Sequence, residues 1–144
     1  MNNKKSILLL LIILISAYHF KVHNRLEKMF TKAYFSFNDI KRPLKSCDNF
    51  NNFGCVGMPS GHAEGSSVLG FLLYFYNFIP LWACVTFIVL VCIQRVITSM
   101  HTIIQVLMGG LLGFIYASIY KQFNLSINVF LIIFGIGLIL KKVT

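Results

Sequence analysis

Two histidines and two arginines stand beside apolar stretches of this sequence, where ionisable side chains are costly and usually functional. His62 ends a Pro-Ser-Gly-His run, His101 comes six residues after Arg95, and Arg42 precedes a proline. Arginine can pair with two phosphate oxygens at once and stays charged at any working pH. A neutral imidazole can attack phosphorus, and a second can protonate the leaving oxygen. This set of residue types predicts an anion site able to hydrolyse phosphate esters.

The run that ends in His62 has a backbone suited to the same task. Ser60, Gly61 and His62 lie where a polar loop becomes an apolar helix. Unpaired N–H groups and the positive end of the helix dipole meet at such a point and attract anions. A glycine at position 61 allows the backbone to approach a phosphate closely.

The composition indicates a membrane protein. Of the 144 residues 57% are hydrophobic and 12% charged, whereas a soluble domain is about 45–50% apolar and about 25% charged. This balance excludes disorder, coiled coil and collagen. The net charge of +9 comes from cations that flank apolar spans, such as Lys4, Lys5, Lys141 and Lys142, so anionic lipid headgroups are better partners for it than nucleic acid.

The apolar pattern predicts an all-α integral membrane bundle of about five helices in a single domain, 1–144. Ser6 to Phe20 is predicted to be an uncleaved N-terminal anchor, and Lys21 to Ile40 a helix at the interface or entering the bundle. Residues 41–61 read as an ordered loop. The remaining membrane helices are Ala63–Ile79, Leu81–Ile97, Thr102–Tyr120 and Leu125–Leu140. Short connections make neighbouring helices antiparallel, which places residues 41–62 and 95–101 on one side of the membrane.

Three motifs, in this order, match those of one family. They are Arg42-Pro43, the segment Pro59-Ser60-Gly61-His62, and Arg95 followed six residues later by His101. Together they resemble the signature blocks K-x6-R-P, P-S-G-H and S-R-x5-H-x3-D of the type 2 phosphatidic acid phosphatase (PAP2) and vanadium haloperoxidase superfamily. The resemblance covers about residues 40–115, with helices between the blocks where that fold has them.

The resemblance implies hydrolysis through a phosphohistidine, without a metal or other cofactor. The implied roles are His101 as nucleophile, His62 as general acid, Arg42 and Arg95 as phosphate ligands, and Ser60 and Gly61 as hydrogen-bond donors to the phosphoryl oxygens. Gly109 and Gly113, further along, form a small-xxx-small step that we interpret as helix packing.

One phosphate ligand of the family pattern is replaced. The lysine expected seven residues before Arg42 is Phe35. The remaining candidates for that charge are Lys32, Lys41 and Lys45, and the sequence does not choose among them.

The third motif departs twice from the pattern. Gln94 stands before Arg95 in place of serine, and Gln105 stands four residues after His101 in place of aspartate. At this spacing on a helix, the oxygen of Gln105 can accept the Nδ1 proton of His101 and leave Nε2 free to attack. It brings no negative charge, and a flipped amide would hold the wrong tautomer. Glucose-6-phosphatase, another member, resembles this chain in having glutamine there.

Two arguments from the sequence disagree about which side of the membrane the site faces. If residues 6–20 span once, ten of the thirteen Lys and Arg lie on the catalytic side, and positive-inside counting places that side in the cytoplasm. The family usually places its site on the luminal or extracytosolic face. A disulfide between Cys47 and Cys55, which requires an oxidising compartment, would agree with the family. We expect the extracytosolic or luminal face.

Three ionisable residues receive no catalytic role from the sequence. His19 and His23 flank the first apolar run outside every motif, and we interpret them as structural. Glu64 follows the P-S-G-H segment, where a carboxylate would repel a phosphate unless it is paired with a cation or protonated.

The predicted function is hydrolysis of membrane lipid phosphates or isoprenyl diphosphates. One alternative is hydrolysis of a soluble phosphomonoester, in the manner of glucose-6-phosphatase. Another is a catalytically degenerate protein that binds phosphate or lipid, suggested by Phe35 and Gln105. Haloperoxidase activity ranks last, because those relatives are large soluble proteins. The sequence leaves the oligomeric state open.

Overall fold

The protein is described by a computed structural model covering residues 3–44, 47 and 53–124. Within these ranges it is all-α, without strands, apart from an isolated bridge between Lys41 and Val56. The α-helices are α1 (Asn3–Tyr18), α2 (Asn24–Tyr34), α3 (Phe37–Ile40), α4 (Gly61–Phe75), α5 (Leu81–Ile97) and α6 (Ile103–Gln122). The predicted helix Leu125–Leu140 lies outside the described residues.

The N-terminal helix is longer than the sequence predicts. A π-helical turn, His19–His23, joins α1 to α2, so that the helix runs without interruption over Asn3–Tyr34. The predicted boundary at Phe20 is wrong. Of the two readings for the segment after it, the structure has the helix that enters the bundle, with Asn24 and Lys28 buried. The apolar character fades there, but residues 1–40 contain neither glycine nor proline to end a helix.

The observed bounds of α4, α5 and α6 differ from the predicted ones by at most four residues. α4 begins at Gly61, directly after the extended Ser60, and ends before Asn77, which has a positive φ of 58°. Its end lies four residues before the predicted Ile79. α5 has the predicted bounds. α6 begins after Thr102, whose hydroxyl accepts a hydrogen bond from the Gln105 backbone N–H in a capping box.

Close packing of α6 on α4 organises the bundle. A Cβ at Gly109 would collide with the carbonyl oxygen of Ser60, and a Cβ at Gly113 would lie 2.6 Å from Cβ of Ser67. The predicted packing role of these glycines is therefore confirmed. Below this contact, α1, α4 and α6 share an apolar core formed by Ile12, Ile15, Val68, Leu72, Ala117 and Tyr120.

The outer surface is suited to lipid. Asn3–Tyr34 and Ile103–Gln122 are long and apolar enough to cross a membrane, and Leu81–Ile97 is a shorter apolar helix. Large apolar side chains point outwards on α5 and α6: Trp82 is 71% exposed, Leu90 60% and Leu107 64%. A continuous apolar exterior of this kind favours contact with acyl chains over contact with water.

Replacing Gly109 with alanine should destabilise the protein, whereas Gly110→Ala should not. The added methyl at position 109 displaces the backbone of Ser60, and such overpacking costs about 1–3 kcal/mol. A Cβ at Gly110 meets nothing within 4 Å, and the change improves helix propensity by up to about 1 kcal/mol. Thermal unfolding in detergent measures both variants. Equal stability of the two would contradict this account of the α4–α6 contact.

Candidate active site

The structure brings the predicted catalytic residues to one end of the bundle. His62 lies in the first turn of α4, Arg95 in the last turn of α5, and His101 in the turn between α5 and α6. His62 interacts electrostatically with Arg95, Arg42 and Lys28, and His101 with Arg42 and Lys28. Arg42 also interacts with Arg95. Two imidazoles therefore share one cationic environment.

His101 is held in the tautomer that a nucleophile requires. It is buried, and its Nδ1 lies 2.9 Å from the Gly57 carbonyl oxygen and 3.3 Å from Oε1 of Gln105. Both neighbours only accept hydrogen bonds, so Nδ1 carries the proton and Nε2 keeps its lone pair. Burial, together with the charges of Arg42 and Lys28, lowers the pKa of His101 to about 4. The ring is consequently neutral at physiological pH.

The amide of Gln105 has one consistent orientation. Its Nε2 donates to the carbonyl oxygens of Lys41 at 2.8 Å and Ile40 at 3.3 Å. Its Oε1 accepts from the backbone N–H of Thr102 at 3.2 Å. A flipped amide would set oxygen against two carbonyls and NH₂ against an N–H. The neighbours of Gln105 therefore favour the oxygen-to-His101 orientation that the nucleophilic tautomer needs.

The segment that carries Arg42 is fastened to the loop before the P-S-G-H segment. The Arg42 N–H donates to the Cys55 carbonyl oxygen at 2.8 Å, and the Gly57 N–H to that of Ile40 at 2.7 Å. A disulfide joins Cys47 to Cys55, a pairing that the sequence left open. These links fix the backbone of Arg42 beside the turn that holds His101.

Two donors in the site are buried without a partner. Arg42 Nε and Ser60 Oγ make no hydrogen bond to any of the described residues. An unsatisfied buried donor costs about 1–3 kcal/mol, and more when it is charged. Both atoms belong to residues predicted to bind phosphate, so their arrangement suits a ligand that offers several acceptor oxygens.

His62 is arranged differently from His101. Its ring packs edge-on against Phe20, with centroids 4.4 Å apart, and its Nδ1 faces Nη1 of Arg95 at 3.5 Å. Because guanidinium only donates, Nδ1 of the neutral ring is the unprotonated atom and Nε2 bears the hydrogen. Nε of the same guanidinium donates a hydrogen bond to Oε1 of Gln94 at 2.6 Å.

Lys28 is a further cation at this site, and no sequence motif indicates it. It is buried, with 7% exposure, and interacts with Arg42 and His101. Among the sequence candidates, Lys32 is exposed, Lys41 lies over the Phe37 ring at 5.9 Å, and Lys45 is outside the described residues.

Lys28 precedes Arg42 by fourteen residues. The uninterrupted helix Asn3–Tyr34 carries it, and no motif spacing could have identified it.

Comparison with known proteins assigns the family. The profile of the PAP2 superfamily matches residues 6–128, so the chain belongs to that superfamily. A lipid A 4'-phosphatase of Helicobacter pylori (strain J99) is 38% identical over 67 residues, which cover 46% of this chain and 34% of that protein. The chain thus matches about a third of the length of this relative. No solved structure matches the chain significantly.

Gln105→Leu should lower turnover by roughly a hundredfold and change substrate affinity little, because the Nδ1 proton of His101 loses one of its two acceptors. The Gly57 carbonyl remains as an acceptor, so the loss should be smaller than the roughly 10⁴ that an Asp→Asn change costs in a serine-protease triad. Steady-state kcat and KM measure the effect, with Gln122→Leu, at the exposed end of α6, as control. Unchanged turnover in a variant with a lowered melting temperature would show that Gln105 is only structural.

Proposed function

We propose that this chain is a multi-pass membrane phosphatase that hydrolyses lipid phosphate or isoprenyl diphosphate esters through a phosphohistidine on His101. The observation that carries the proposal is the environment of this residue. A neutral imidazole has its Nδ1 proton fixed by Gly57 and Gln105 and lies in the field of Arg42 and Lys28. Membership of the PAP2 superfamily supports the same chemistry.

The reaction divides into two displacements. Nε2 of His101 attacks phosphorus, and the ester P–O bond breaks as its electron pair leaves with the alkoxide oxygen. His62, protonated on both nitrogens while the bound phosphate dianion offsets its charge, donates its Nε2 proton to that oxygen and becomes neutral. Water then attacks the phosphorus of phosphohistidine and transfers a proton to His62, while the P–N bond breaks. Inorganic phosphate leaves, and both imidazoles return to their starting states.

The phosphate ligands offset the charge on the transferred group. Arg42 and Arg95 offer guanidinium donors, Ser60 its hydroxyl, and Gly61 a backbone N–H in the first turn of α4. We assign Lys28 the place of the lysine that the family pattern has at Phe35, because it interacts with both histidines. These groups act most strongly where water is excluded.

An apolar cleft beside His62 favours a lipid substrate. The cleft, of about 460 Å³, lies between α1, α4 and α5. Its lining consists of Ile13, Ser16, Ala17, Phe20, His62, Gly65, Ser66, Leu69, Phe87 and Val91. An acyl or prenyl chain placed there brings its ester oxygen next to the proposed general acid. A soluble phosphomonoester would leave this surface unused.

The disulfide supports a site on the extracytosolic or luminal side of the membrane. Cys47 and Cys55 bracket the loop that precedes the P-S-G-H segment, and disulfides persist in oxidising compartments. Lipid phosphates whose headgroups face that side would then reach the site without crossing the bilayer.

Purified protein in detergent should release phosphate from phosphatidic acid and from p-nitrophenyl phosphate, and His101→Ala should lose at least about a thousandfold in turnover on both.

Val91→Trp narrows the cleft beside His62. Losing the burial of two methylenes costs roughly 1.6 kcal/mol, so kcat/KM should fall about fifteenfold for the lipid and stay unchanged for the soluble ester.

Leu90→Trp is the matched control, since Leu90 neighbours Val91 on α5 and lies outside the cleft lining. It should leave both substrates unaffected. Equal rates for wild type and His101→Ala would overturn the proposed mechanism. A Val91→Trp variant with an undiminished lipid rate would instead favour a soluble phosphomonoester as substrate.

A further inference from the structure

A second polar centre lies inside the bundle, apart from the residues assigned to phosphate. It consists of His19, His23 and Glu27 on the N-terminal helix and Glu64 on α4, called here the His/Glu cluster. His19 and Glu64 are almost inaccessible, and side-chain exposure is 23% for His23 and 13% for Glu27. Ionisable groups in the interior of a membrane bundle are costly to keep unless they pair or bind a ligand.

The helix geometry brings three of these side chains to one face. His19, His23 and Glu27 follow one another at intervals of four, and the first two bound the π-helical turn. A π turn contains more residues than an α turn, so positions four apart stack more closely above one another. Such turns occur frequently at functional sites. Two histidines four apart on a helix are also a common zinc-ligand spacing.

The potential ligand atoms lie close together. Nδ1 of His19 is 2.9 Å from Oε1 of Glu64, and Nε2 of His23 is 3.6 Å from Oε1 of Glu27. One ligand atom each from His19, His23 and Glu64 lies within 4.8 Å of the others. Ligands of tetrahedral zinc, at about 2.0–2.1 Å from the metal, are separated by roughly 3.3 Å. Small side-chain adjustments would therefore close these three around one ion, and Glu27, next to His23, would turn towards them to supply the fourth ligand.

Each of three cluster members has an outer partner that orients it. Nε2 of His19 lies 3.0 Å from the Tyr120 hydroxyl, and the Tyr116 hydroxyl donates to Oε1 of Glu27 at 2.6 Å. Nδ2 of Asn24 donates to Oε2 of Glu64 at 2.9 Å. Metal-binding histidines and carboxylates usually have hydrogen-bond partners of this kind, which fix the ligating atom towards the metal.

Two buried atoms of the cluster remain without a hydrogen bond. They are Nε2 of His23 and Oε2 of Glu27, neither of which has a partner among the described residues. The carboxyl groups of Glu27 and Glu64 also interact with each other, and Lys28 is the cation near Glu64. A divalent cation would satisfy the unpaired atoms and compensate both charges.

We propose that His19, His23, Glu27 and Glu64 bind one divalent transition-metal ion, best matched by Zn²⁺. Imidazole and carboxylate suit zinc, and four protein ligands form a closed, structural site with no open position for a substrate. The ion would tie the N-terminal helix to α4. Asn24, which contacts Glu64, also donates to the Pro59 carbonyl oxygen at 3.3 Å. The metal site would therefore be linked through Asn24 to the backbone of the P-S-G-H segment.

The direct test is the zinc content of the full chain, purified in detergent without a polyhistidine tag and passed through metal-free buffer. Elemental analysis should find one zinc per chain in the wild type. His23→Gln and Glu27→Gln should reduce the content to near zero. Tyr120→Phe should retain the site with about 10–100-fold weaker affinity. His62→Gln removes a histidine outside the cluster and should keep the full zinc content.

A second measurement covers the case in which the ligand variants fail to fold. Wild-type protein depleted of zinc and reconstituted with Co²⁺ should show the intense visible absorption of tetrahedral cobalt and a raised melting temperature. Folded wild type that holds well below one zinc per chain and gains neither absorption nor stability from Co²⁺ would overturn the proposal. The cluster would then be a metal-free hydrogen-bond network. None of these readouts uses a phosphate ester, so the result is independent of the proposed phosphatase activity.

Discussion

The hydrogen bonds of Gln105 are the interaction on which the rest of the site depends. Its amide nitrogen binds the carbonyl of Lys41, its amide oxygen accepts from Thr102 and faces His101, and its backbone oxygen accepts from the N–H of Ser60 at 3.1 Å. One buried residue thereby joins all three polar segments that the motifs occupy, two of them through its side chain and the third through its backbone. Because every polar group of the amide is used, the orientation that leaves His101 nucleophilic is the one that also holds the segments together.

The apolar helices make this convergence possible. α4 and α6 approach closely at Gly109 and Gly113, so the start of α4 and the first turn of α6 lie side by side. The N-terminal helix crosses the same end and brings Lys28 near His101, within the proposed phosphate site, while His19 meets Glu64 deeper in the bundle. Most of the polar chemistry of the chain is thus placed by helix packing, with the outer surface left to lipid.

The sequence predicted the features that depend on local spacing. The i,i+4 relation of His101 and Gln105 and both ends of α5 follow from short-range rules, and the structure has them. The start of α4 lies two residues before the predicted Ala63. Features that depend on tertiary packing were not predictable in this way. Lys28 reaches the site because no residue breaks the N-terminal helix.

Glu64 shows the same limit of local patterns. The sequence placed it beside the phosphate site, yet its carboxylate is directed to His19 and Asn24. No local pattern indicates that a histidine forty-five residues earlier in the chain is its partner.

The central claim is that His101 is the nucleophile. Rapid-quench turnover of a ³²P-labelled lipid phosphate tests this claim most directly. The account predicts an acid-labile, base-stable phosphoryl group on His101 during turnover; phosphate release without label on this residue would contradict it.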